Sequence, residues 1–197
     1  MGSVSRAFTG WGTGMVDFDH DGDLDIAIVN GRVARGPLRP NAKLGKFWNQ
    51  FAEPKLLFEN DGHAVFTNIS AKTGHFGAEP EVSRGAAFGD IDNDGDIDIV
   101  VGNLDNTLRI FRNDFPKQGR HWLIARLMTG KRDANGAVAT IRAGGQRYVR
   151  QAHPGYSFLS SNDPRLHIGL DKADHIDSFL VRWPDGSYES FAIDRVD

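Results

Sequence analysis

One nine-residue pattern occurs twice in this 197-residue chain, and it limits the fold more than any other feature. It reads D-F-D-H-D-G-D-L-D at 17–25 and D-I-D-N-D-G-D-I-D at 90–98. A shift of 73 residues lays the first run on the second, Gly12 on Gly85, Ile26 on Ile99 and Asn30 on Asn103. A second echo, F-E-N-D at 58–61 and F-R-N-D at 111–114, follows at a different offset. Two copies therefore share one order: a glycine-rich strand, the aspartate run, an apolar strand, then a strand ending in Asn-Asp. The first copy is longer by a segment at 31–53, whose Pro37, Pro40, Lys43, Lys46 and Trp48 read as a long surface loop.

Within each copy the apolar runs are short. Asp25–Val29 and Asp98–Val101 have the length of buried strands, not helices. Leu56–Asn60, Val65–Ile69 and Leu108–Arg112 alternate like half-buried strands, with Asp61-Gly62 as a hairpin turn. Each copy is expected to be a small antiparallel sheet that cannot bury both faces alone, as in one blade of a propeller. No fourth strand is evident for the second copy. From about Gly119 the repeat stops. Strands are expected there at His121–Leu127, Ala137–Arg142, Gln146–Arg150, Ile176–Trp183 and Tyr188–Ile193, with Asn135-Gly136, Gly144-Gly145 and Asp185-Gly186 supplying turns. The expected fold class is all-β: two propeller-type antiparallel blades at about 8–70 and 82–114 within 1–118, followed by a small β-sandwich over 119–197.

The chain has 21 Asp but only 5 Glu, and ten of the Asp lie in the two runs. Without those ten, 23 basic residues face 16 acidic ones, so the formal charge of −3 hides a basic framework carrying two acidic loops. Both runs fit D-x-D-x-D-G-x-x-D. Alternate aspartates converge if the chain wraps, the glycine at position 6 permits the turn, position 7 offers a carbonyl, and position 9 closes the shell. Neighbouring carboxylates about 5 Å apart repel by roughly 3 kcal/mol per pair at an effective dielectric near 20. Plain acidic surface turns would therefore oppose their own tightness, whereas a cation would neutralise them. Hard oxygens in this number suit Ca²⁺ better than Mg²⁺, and two Ca²⁺ sites are expected. An EF-hand is excluded because its twelfth-position Glu is replaced by Ile28 and Val101, and β-rich runs flank both loops. Zinc has little support without cysteine, although His20 lies in the first loop.

Other features exclude function classes. Absence of Cys removes disulfide scaffolds and thiolate sites, and no basic run points to nucleic acid. No apolar stretch has the length of a membrane span, and Met1-Gly2-Ser3 opens without an export-signal pattern, as an internal start would. Ser157, Ser160, Ser161 and seven His form no G-x-S-x-G or H-E-x-x-H motif, so no catalytic residue is assigned. Trp11, Trp48, Trp122 and Trp183 could line a sugar site, but packing is the commoner use of such rings. Asn68-Ile69-Ser70 is a glycosylation sequon, relevant only to a secreted eukaryotic protein.

The stretches G-W-G-T-G-M-V-D-F-D-H-D-G-D-L-D-I-A-I-V-N-G and R-G-A-A-F-G-D-I-D-N-D-G-D-I-D-I-V-V-G-N resemble the FG-GAP/VCBS repeats of calcium-binding β-propellers such as integrin α-subunit heads. K-R-D-A-N-G-A-V at 131–138, G-Y-S-F-L-S-S-N-D-P-R-L-H-I-G-L at 155–170 and V-R-W-P-D-G at 181–186 resemble an ASPIC/UnbV domain. That combination is similar to the cartilage acidic protein family and its bacterial relatives, as a C-terminal portion or shortened member. The resemblance implies calcium ligands at Asp17, Asp19, Asp21 and Asp25, and at Asp90, Asp92, Asp94 and Asp98, with Asp23 and Asp96 contributing carbonyls. It also implies an extracellular or cell-surface, non-enzymatic calcium-binding module acting in adhesion or structure, with a protein or glycan partner on a cell surface or in a matrix. Such propellers close with about seven blades, so two blades and a missing strand lead us to expect a homo-oligomer or polymer joined at blade edges. The alternatives are a carbohydrate-binding module and, less favoured, a polysaccharide-active enzyme.

Overall fold

The computed structural model describes residues 2–104 and 107–197. It is mostly β, with several antiparallel sheets and a few short helices; no helix among the described residues is long and apolar enough to cross a membrane. The first sheet holds β1 (Gly10–Val16), β2 (Asp25–Asn30), β3 (Leu56–Asn60) and β4 (Phe66–Asn68) in that order. A second sheet repeats the plan with β5 (Ser83–Gly89), β6 (Asp98–Asn103) and β7 (Arg109–Phe111), and has three strands among the described residues. Each aspartate run is the connection between the first two strands of its sheet, because Val16 pairs with Asp25 and Gly89 with Asp98. Even the irregularity recurs: the ladder shifts register between Gly10 and Thr13 in β1 and between Ser83 and Gly85 in β5.

The two sheets pack through β1 and β5 around Val16, Ala27, Val29, Ala86, Phe88, Ile97, Ile99 and Val101. Alternation along β1 turns Gly12, Gly14 and Val16 inward and leaves Met15 exposed. The strands approach so closely that a Cβ on Gly12 would overlap the Ala86 backbone, which is why that residue is glycine. Among the described residues the sheets lie side by side and form no closed ring. Their seam also holds charge. Lys55, fully buried, gives a 2.5 Å bond to Glu81 Oε2, Arg109 approaches Glu81 and Glu79, and Glu53 bridges backbone to Glu81.

The segment 31–53 is irregular apart from a five-residue helix, Gly45–Asn49, and is held by side chains: Asn49 bonds the backbone of Arg39 at both ends of its amide. The hairpin after β3 is wider than a two-residue turn. Asp61 N donates to Val65 O while its carboxylate accepts from His63 and Val65, so Asp61 caps a longer loop and β4 begins one residue later than the alternation predicts.

The remaining chain adds β8 (His121–Ala125), the hairpin β9 (Met128–Thr129) and β10 (Arg132–Asp133), then β11 (Val138–Ala143), β12 (Gln146–Gln151), β13 (Leu166–Asp171), β14 (Ser178–Arg182) and β15 (Tyr188–Phe191). A four-stranded sheet, β12-β11-β14-β15, and the pair β13-β8 share one core that includes Leu123, Ile141, Ile168, Leu170, Phe179 and Val181. Strand β13 was not among the expected strands. Its Leu166, Ile168 and Leu170 alternate into this core, which leaves His167 on the other face, towards the aspartate loops.

Phe88 joins all three parts: its ring is buried between the first two sheets and its backbone N–H donates to Asn162 Oδ1, 2.9 Å away, in the terminal part. Phe88→Ala is expected to cost about 3–5 kcal/mol, a drop in melting temperature of roughly ten degrees for a chain this long. Thermal denaturation followed by circular dichroism measures it, and a shift of only a degree or two would show that this core is not shared.

Candidate metal centres

The two loops have the same backbone. The fourth residue is left-handed in both, His20 at φ 63° and Asn93 at φ 60°, and the sixth is a positive-φ glycine, Gly22 at 94° and Gly95 at 96°. Only glycine adopts the latter freely, which explains the D-x-D-x-D-G spacing: two reversals within three residues fold alternate carboxylates to the inside. Ligand atoms of Asp17, Asp19 and Asp21 all lie within 4.8 Å of one another, as do those of Asp90, Asp92 and Asp98. Each group could hold a metal ion.

Internal hydrogen bonds aim these carboxylates. Asp17 Oδ2 accepts from Gly22 N at 2.9 Å, and Asp90 accepts from Asp94 N and Gly95 N at 3.1 Å. Asp19 accepts from Asp21 N, Asp21 from Asp23 N, and Asp94 from Asp96 N. The ninth residues act as latches. Asp25 accepts from Phe18 N and Asn60 N; Asp98 accepts from Ile91 N and Asn113 N. This pairing gives the F-E-N-D and F-R-N-D echo its meaning, since each Asn ties a third strand to its own loop.

The remaining members differ between copies. Asp25 lies outside the first close group, whereas Asp98 belongs to the second; Asp94 lies outside the second, whereas Asp21 belongs to the first. Asp23 sits beside the Gly62 turn. Asp96 turns its carboxylate away from its loop, to His20 Nε2 at 3.2 Å and Lys117 Nζ at 3.5 Å.

The donor set fits a hard cation. Asp17 is 1% exposed, and its Oδ1 is buried with no hydrogen-bond partner. Burial, then Asp21 and Asp19, pushes the Asp17 carboxyl up to about 7. Burial does most to lift Asp25 to about 7 and Asp21 to about 6, with neighbouring aspartates adding to it. In the second loop burial raises Asp96 to about 6 and also raises Asp98, again with help from neighbouring carboxylates. A cation among these groups would relieve both the burial penalty and the mutual repulsion.

The sequence pattern does not reveal what packs on the loops. The terminal part covers both of them. Gly169 N donates to Asp17 Oδ2 at 3.1 Å, Arg120 Nη1 reaches Asp19 O at 2.9 Å and Asp19 Oδ2 at 2.6 Å, and Arg150 reaches Gly22 O at 3.2 Å. On the second loop Arg165 donates to Asp90 O at 2.6 Å and to Asn93 Oδ1 at 2.8 Å, and Lys117 to Asp94 O at 2.5 Å. His20 and His167 both direct Nε2 at Gly95 O, at 3.2 and 2.9 Å. Burial lowers the pKa of His20 and pushes that of His167 down to about 3, so both rings are neutral, and facing acceptors place the proton on Nε2. Trp122 lies against the Gly95 turn with Lys117 over its ring, so it packs on a loop. Trp11 bonds Gly31 O, and Trp183 bonds Glu189. The only sequence signal for this cover was the R-L-H-I-G-L stretch at 165–170, whose alternation marks a strand with a polar back face.

Comparison with protein families identifies the terminal part. Residues 128–197 match the family model described as ASPIC and UnbV, so the chain carries an ASPIC/UnbV domain there. Over 79 residues the chain is 34% identical to cartilage acidic protein 1 of Xenopus tropicalis and 30% identical to cartilage acidic protein 1 of Mus musculus. Each match takes in 40% of this chain, and the chain spans only 12% of the length of either relative.

Folding moves the Asp17 and Asp25 carboxyls from 3.8 to about 7, so the cation-free native state holds protons that the unfolded chain has released. Their contribution to stability is complete below pH 3.8 and is lost as the pH rises through about 7. Protein dialysed free of divalent cations is therefore expected to melt at a lower temperature at pH 8 than at pH 5.5, and added divalent cation is expected to reverse that slope. Scanning calorimetry across the interval measures both, and a cation-free melting temperature that rises with pH would contradict the assignment.

Proposed function

We propose that the chain is an extracellular or cell-surface calcium-binding module in which one Ca²⁺ in each aspartate loop holds a sheet together and seats the ASPIC/UnbV domain. The observation that carries this reading is the pair of loops with one backbone, converging carboxylates and, in the first, a buried Asp17 oxygen without a protein partner. The first two sheets are read as FG-GAP/VCBS-type blades, on the strength of the sequence resemblance and their matching strand plan. The flexible all-oxygen shell favours Ca²⁺ over Mg²⁺, which demands a stricter octahedron and keeps its water. Asp17, Asp19, Asp21 and Asp25 would supply the first site and Asp90, Asp92, Asp94 and Asp98 the second, with the carbonyls of Asp23 and Asp96. The latching bonds of Asp25 and Asp98 fit ligands that also support strands. A role in adhesion or matrix structure follows from the resemblance and from a relative named for cartilage.

Calorimetric titration is expected to find two bound Ca²⁺. Asp19→Ala and Asp92→Ala should each remove one ion, and chelation should lower the melting temperature by many degrees. A wild-type protein whose melting is the same in excess Ca²⁺ and in chelator would refute structural calcium.

A self-association reading rests on the edge of the second sheet. In the first sheet β4 covers β3; β7 has no such cover among the described residues, and Leu108 before it and Ile110 within it are about 60% exposed. Sedimentation equilibrium of the calcium-loaded chain is expected to show concentration-dependent association that Ile110→Lys weakens. A compact monomer at all concentrations would end this reading.

A further inference from the structure

We propose that His20 is a positioning residue that couples the two loops, so that a cation in one raises the affinity of the other. The inference rests on the calcium reading and concerns a contact that the repeat pattern does not contain. His20 is the fourth residue of the first loop, between Asp19 and Asp21, and its ring is 1% exposed. Its Nε2 lies 3.2 Å from Gly95 O and 3.2 Å from Asp96 Oδ1, the sixth and seventh residues of the second loop. His167 of β13 shares the Gly95 oxygen, and the rings of His20, His167 and Trp122 pack together with centroids 5.1–5.2 Å apart. Each loop is therefore held in part by the other, under one cover.

The coupling has a physical route. Without a cation, the carboxylates of the second loop repel and loosen the turn at 93–96, withdrawing the two acceptors of His20. His20 sits at φ 63°, in the left-handed region that only a few per cent of non-glycine residues occupy, so the loss of those contacts removes part of what holds it there. Asp19 and Asp21 flank it and lose their convergence. By linkage the effect is reciprocal: loading the first loop orders the second by the same factor. Direct repulsion between two bound cations would act with the opposite sign, so the sign of the coupling distinguishes the two.

The second loop supplies the test substitution. Its fourth residue is Asn93, at φ 60°, and Asn93 faces Arg165 instead of the other loop. His20→Asn thus keeps the turn and removes the reach. Calcium titrations of the full chain would compare wild type, Asp92→Ala, Asp19→Ala, His20→Asn and the His20→Asn/Asp92→Ala double variant. Wild type is expected to load both ions in one cooperative transition. Asp92→Ala should weaken the first site roughly tenfold, and Asp19→Ala should weaken the second in turn. His20→Asn should bind two ions independently and more weakly, and adding Asp92→Ala to it should cause no further weakening of the first site. Independent or anticooperative binding in wild type, or coupling that survives His20→Asn, overturns the inference while leaving the calcium reading intact. A wild-type chain that binds no ion overturns both. Should His20→Asn fail to fold, His20→Gly, which adopts the left-handed turn freely and likewise lacks the reach, takes its place in the same titrations.

Discussion

Aspartates cannot be gathered and buried side by side without something to offset their charge, and the architecture of this chain follows from that constraint. Each loop gathers carboxylate oxygens within 4.8 Å of one another, and in the first loop Asp17 is wholly enclosed. Backbone N–H groups satisfy part of the demand, through Gly22, Asp94 and Gly95. A cation would satisfy the rest from within. Outside the loops, Arg120, Arg150, Arg165 and Lys117 bring positive charge to the carbonyl side of the turns. The basic framework implied by the composition is thus placed where the acidic loops need it.

The latches extend the same constraint into the sheets. Asp25 and Asp98 begin the central strands and receive N–H bonds from the loop start and from Asn60 or Asn113. Asn113 also donates to Phe18 O of the neighbouring repeat. Loop geometry, strand pairing and packing between sheets are therefore one system, in which disturbing a loop reaches the third strand directly.

How much of this was legible in the sequence depended on the range of the interaction. The turn of each loop is local, set by Gly22 and Gly95, so spacing alone predicted converging carboxylates. β2, β3 and β6 were legible because their runs are short and apolar. Strand β13 is not among the expected strands because its run is short, with only Leu166, Ile168 and Leu170 apolar, and its His167 and Gly169 read as loop residues; they meet partners 72 and 152 positions away. Likewise Arg120 bonds Asp19 across 101 residues, a pairing that no local pattern records. The width of the Asp61 hairpin was missed for a different reason, since Asp61 caps the loop with its own carboxylate where a two-residue turn would have needed only Gly62.

The seam between the first two sheets has a consequence for assembly. Lys55 is sealed there against Glu81, with Phe111 within 5.2 Å of its ammonium. An ammonium left in that position without its carboxylate costs about 3–5 kcal/mol. The close approach of Gly12 to the Ala86 backbone selects the neighbouring sheet by shape, and the buried charge adds a second condition. A sheet carrying Lys55 finds its match only in a neighbour that presents an acid at the right height. A neighbour without that acid would leave the Lys55 charge unpaired.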